Sequence, residues 1–178
     1  MSTLTADPGF GRGQVLGILW KAYDADTGDG SHIVGTRKVF RDEDPKTGAL
    51  RSNRTVECVA VKNAGSTALL AGQVAKFRDA AILSEVDGLA VAATTLMGVV
   101  DEYLPAAGVP VGEVFWLVVR GPSTVTKTAT SVAAGAAYGP SATAGSAAAQ
   151  GASAQLGFAI ETSATTSGRI LVRTNAGF

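Results

Sequence analysis

GEVFWLVVRGPSTVTKT, residues 112–128, is the stretch on which the fold turns. Val114 to Val119 form an apolar run far shorter than the roughly 20 residues a spanning helix needs, and too rich in β-branched and aromatic side chains for a soluble helix. It reads as a buried strand. Side chains alternate across a strand, so Phe115 and Trp116 face opposite ways, one into the core and the other toward core or a subunit interface. Gly121-Pro122 reads as a break, and 123–130 as a returning strand with one wet face. LGFAIET (156–162) and GRILVRT (168–174) add further strands. In the last of these, Ile170 and Val172 point inward and Arg169, Leu171 and Arg173 outward.

Upstream, TVECVAVK (55–62) places Val56, Cys58 and Ala60 on one face and Thr55, Glu57, Val59 and Val61 on the other. After a turn at 63–66, residues 68–77 return as the partner of a hairpin. The apolar stretches 80–83 and 89–100 read as short strands, with helices at 80–86 or 89–97 as the alternative. An all-β fold, mainly short strands, is expected.

At 178 residues the chain suits one domain with an appendage. Fifteen basic and fifteen acidic residues cancel, which leaves no overall field to gather nucleic acid or an anionic membrane. One cysteine allows no internal disulfide, which fits a reducing compartment. The opening MSTLTADPGFGRG lacks the basic-then-apolar order of an export signal. Residues 1–45 carry mixed charges and isolated apolar groups between the turn-forming runs DADTGDG and DEDPKTG, and read as an extended arm. Residues 46–178 then form a single β-rich core, so removing 1–45 should leave a folded body. Within that core, 129–154 is almost wholly alanine, glycine, serine and threonine. Val132, Tyr138 and the spaced glycines favour short packed strands over a flexible linker.

Motifs for chemistry are weak. Asp24, Asp26 and Asp29 have the spacing of a calcium loop, but Gly35 stands where the closing glutamate belongs. His32 is the only histidine, and no Gly-x-Ser-x-Gly elbow accompanies it. Cys58 lies on an apolar strand face, which favours an inert buried thiol. Asp101 and Glu102 are adjacent and point apart, so they cannot share one acid–base site. No phosphate-binding loop follows Gly11-Arg12-Gly13. No catalytic residue, cofactor or metal is expected, and the chain is read as a non-enzyme.

Three stretches carry a family resemblance: GTRKVFRDEDPKTGALRSNRTVECVAVKNAGSTALLAGQVAKF (35–77), GVVDEYLPAAGVPVGEVFWLVVRGPSTV (98–125) and, after the alanine-rich segment, LGFAIETSATTSGRILVR (156–173). Their order of strands and turns resembles the head decoration, or capsid cement, proteins of tailed bacteriophages. The resemblance implies a jelly-roll-like or barrel-like β core, a homotrimer, and a place on the outer capsid surface of the virion for a protein synthesised in the host cytoplasm. The implied partner is the major capsid protein, with no nucleic acid and no membrane. The arm would lie along capsid subunits, with Trp20 and Phe40 as anchors and Arg37, Arg41, Arg51 and Arg54 as partners for capsid carboxylates. The competing reading is the β-sandwich head of a phage fibre or adhesin that binds a receptor or glycan. Such a site wants clustered loop aromatics. Tyr23, Tyr103 and Tyr138 are scattered.

Overall fold

The computed structural model describes residues 16–17, 19–20, 33–79, 81, 83–128, 132–151 and 153–174. Among them the chain is all β. Its strands are β1 (Leu19–Trp20), β2 (Arg37–Glu43), β3 (Leu50–Asn63), β4 (Val74–Phe77), β5 (Glu85–Leu89), β6 (Met97–Val100), β7 (Val114–Thr126), β8 (Ala137–Pro140), β9 (Ala147–Ala149), β10 (Gly157–Ala159) and β11 (Ser167–Arg173). The long β3 and β7 organise the rest. Their antiparallel pairing sets Ala60 opposite Trp116 and Val61 opposite Phe115. β3 then pairs β5, β5 pairs β4, β4 pairs β6, and β6 returns to β7. These pairings close a small barrel. From its rim a second layer spreads through β2 on one side and β11, β10, β8 and β9 on the other.

Two apolar cores follow from that arrangement. Val59 and Val61 of β3, Phe115, Leu117 and Val119 of β7, and Phe77, Val86 and Val100 fill the barrel. Cys58, Ala60, Trp116 and Val118 leave the same two strands on the opposite face and meet Phe40, Val125, Tyr138, Ile170 and Val172 of the second layer. Phe115 and Trp116 therefore both fill core, on opposite sides of one strand. Neither is free for a subunit interface.

Two local expectations are overturned. Gly121-Pro122 does not end a strand, because β7 runs unbroken from Val114 to Thr126. A bulge lies where the register slips between Glu57↔Arg120 and Cys58↔Val118, and Gly121 takes φ +104° beside it. A bulge bends the strand without stopping it. Pro122 lies past the last residue of β7 that pairs with β3, where a missing N–H donor is tolerated. Nor is 55–62 the hairpin partner of 68–77. Only Val74–Phe77 is a strand there, and it pairs β5 and β6. The turn between them exists: the buried Asn63 amide donates to the carbonyls of Thr67 and Val109, both at 3.0 Å, and redirects the chain.

The arm boundary is corrected as well. Ile33 is buried, and β2 pairs β3 with Phe40 opposite Val56. Phe40 is only 7% exposed and meets Trp116 edge to face, ring centroids 5.2 Å apart. Residues 33–45 thus belong to the body. In 132–151, by contrast, the packed expectation matches β8 and β9, which bury Tyr138 and Ala147. Alanine and glycine there permit close approach: a Cβ at Gly139 would lie 2.8 Å from the Ala154 carbonyl oxygen.

Removing 1–45 is therefore expected to strip β2 from β3, uncover Trp116 and yield an aggregating product. Phe40→Ala in the full chain is expected to cost about 3 kcal/mol in urea unfolding. Gly121→Ala is expected to cost at least about 2 kcal/mol in the same assay. It forces an alanine to positive φ and drives its Cβ into the Thr55 carbonyl oxygen.

Candidate functional site

Three of the six side chains expected to meet a partner, Arg37, Phe40 and Arg51, are occupied within the body. Phe40 is core, as described. Trp20 pairs its backbone with Val114 in β1, and its side chain lies outside the described residues, as do His32 and the Asp24–Asp29 loop. Arg37 is ion-paired to Glu57. Arg51 reaches Glu102 at 2.6 Å and the Tyr103 hydroxyl at 2.8 Å, while Glu102 accepts from the Thr124 hydroxyl at 2.6 Å. That network ties β3, β7 and the loop after β6 together. Arg41 and Arg54 are exposed, with no side-chain ion pair among the described residues.

Register brings them company that one-dimensional reading missed. Cross-strand partners share a face. Val39 stands opposite Glu57, Glu57 opposite Arg120, and Arg120 opposite Arg173, a row across β2, β3, β7 and β11. The neighbouring row runs Pro122, Leu171, Phe158 and Ala137. Because Ile170 and Val172 point into the second core, these rows form the outer face. Val39 is 60% exposed and Phe158 37%. Between them, Arg54, Arg120, Arg173 and Leu171 line a groove of about 620 Å³.

The electrostatics of the row are unbalanced. Arg120 and Arg173 lie directly opposite each other, both exposed, and like charges so placed destabilise a sheet. The carboxylate beside Arg120 belongs to Glu57, which Arg37 engages. Arg169, four residues earlier on β11, is matched instead: its Nη2 donates to both Asp42 carboxylate oxygens at 2.9 Å. Outward arginines on β11 were legible from alternation, but their meeting with Arg120 was not.

Away from this face, Asp101 is fully buried and accepts from the backbone N–H groups of Gly17 and Tyr103. Burial lifts its pKa to about 6, against the pull of those two donors. Burial also pushes the Cys58 thiol up, which makes it a poor nucleophile. Among the described residues no three histidine, cysteine, aspartate or glutamate side chains converge as a metal shell would.

The comparisons with known proteins add little. No protein-family model matches the chain, and no curated protein does. Among solved structures it is similar to a chain from the capsid of Myoviridae phage XM1, at 21% identity over 66% of this chain and 83% of that one, with a TM-score of 0.46. Likeness of that degree carries no argument about activity.

Asp101 sets a pH dependence whose sign can be worked out. Its folded pKa, about 6, lies above the unfolded carboxylate value, so the folded state holds the extra proton between about pH 4 and 6. Its contribution to stability falls as pH rises through that window and is level above it. Asp101→Asn is expected to remove this slope. Its stability relative to the native chain should rise by on the order of 3 kcal/mol between pH 4 and pH 7 in chemical unfolding.

Proposed function

We propose that the chain is a structural protein of a tailed-phage head, a decoration or cement protein that binds the outside of the major capsid protein lattice as a homotrimer. The observation that carries this reading is the outer sheet face, where unneutralised Arg120 and Arg173 sit beside exposed Val39 and Phe158. Arginine and aromatic residues are enriched where proteins meet. The strand and turn order of 35–77, 98–125 and 156–173 supports the same reading through its resemblance to cement proteins.

A rigid body with two cores suits the task. A shell lattice repeats one docking surface many times, so a symmetric oligomer touching several subunits gains effective concentration from contacts that are individually weak. A protein that binds only the intact lattice stabilises it by mass action.

Light scattering on the purified protein is expected to give three times the 17.9 kDa chain mass. Heads saturated with it are expected to release DNA at a higher temperature than bare heads. Unchanged release at full occupancy would reject the cementing role, and retention on a glycan array but not on heads would favour the adhesin reading.

A further inference from the structure

We infer that the groove lined by Arg54, Arg120 and Arg173 is the docking site for an acidic, extended segment of a neighbouring shell subunit, one that places carboxylates on the two opposed arginines and an apolar side chain beside Val39 and Leu171. This rests on the proposed structural role and names the surface and partner chemistry that it leaves open.

The groove is assembled by register rather than by sequence proximity. Arg120 and Arg173 are held opposite each other by antiparallel pairing that runs from Ser167↔Thr126 to Arg173↔Arg120, so neither can move away without unzipping β11. Side chains of like charge in that position repel in the free protein. A carboxylate bound between them turns the repulsion into two charge-assisted hydrogen bonds, the geometry arginine is suited to make. The chain itself supplies no such group among the described residues, because Glu57 is engaged by Arg37 and Asp42 by Arg169.

The flanks say that the partner is protein rather than nucleic acid. Exposed Val39 and Phe158, with half-buried Leu171 between them, offer apolar contact a phosphate backbone has no use for. With Glu57 already paired to Arg37, the positive charge left in the groove is a few discrete guanidinium groups rather than a continuous track for a phosphate backbone. A peptide alternating acidic and small apolar residues matches both features. Its carboxylates would meet the arginine row while its apolar side chains cover Val39 and Leu171.

The test uses the full chain and heads assembled without it. Arg120→Gln/Arg173→Gln is expected to weaken co-sedimentation with heads at least ten-fold while leaving the melting temperature unchanged or raised, since the repulsion is gone. Native binding is expected to fall as salt rises from 50 to 500 mM. Arg173→Glu serves as a second variant: it places opposite charges across the strands, so it should fold at least as well as the native chain and bind heads worst. If the native chain binds heads and both variants bind equally well, the groove is not the site and the structural role stands. Native protein that fails to bind heads at all overturns both. A change in oligomer size in the variants, or retention of native protein by a duplex oligonucleotide at 150 mM salt, identifies a different occupant and overturns the inference.

Discussion

The pairing of β3 with β7 is the constraint on which the rest of the molecule depends. Along Cys58–Lys62 and Val114–Val118 both faces of both strands are covered, one by the barrel core and one by the second layer. Burying a large apolar side chain is worth about 1.5–3 kcal/mol, and this pair of strands does so on two sides at once. The remaining strands are placed by what they must cover: β4, β5 and β6 close the barrel over Phe115 and Leu117, while β2 and β11 close the second layer over Trp116 and Val118.

The same pairing explains why the arginine-lined face exists. Below the bulge the barrel core claims the face that carries Val59 and Val119. Past it the strands diverge, β3 toward β2 and β7 toward β11, and the face continues into solvent with Glu57 and Arg120. The bulge beside Gly121 is therefore the point at which a packing surface becomes a contact surface. Its glycine is required by φ and by the closeness of the Thr55 backbone, independently of any partner.

Leu16, Gly17 and β1 are bound to this framework by small, specific contacts. Leu16 is buried in the second core, Gly17 donates to Asp101, and β1 extends the edge of β7 at Val114 and Phe115. A Cβ at Gly17 would lie 2.9 Å from the Tyr103 carbonyl oxygen, so the strap fits closely. Asp101 is buried in the service of that strap, which accounts for a carboxylate kept where a neutral side chain would cost less. The alanine-rich segment works on the same scale, since its small side chains let β8 and β9 lie close to β10 and the Leu89 side chain.

The sequence by itself determined the all-β class, the two-faced character of 55–62 and 114–119, the inward Ile170 and Val172 and the buried inert Cys58, and it favoured packing over a flexible linker for the small-residue stretch. Each is a local property: period-two alternation and side-chain size are visible within a few residues. Tertiary structure alone decided that Gly121-Pro122 bends a strand instead of ending it, that 68–77 pairs elsewhere, that Phe40 closes the core over Trp116, and that Arg51 is tied to Glu102. It also decided that Arg120 and Arg173 stand face to face. Those outcomes depend on which strands become neighbours, and residues more than fifty apart meet only through hydrogen-bond register, which no local pattern of side chains encodes.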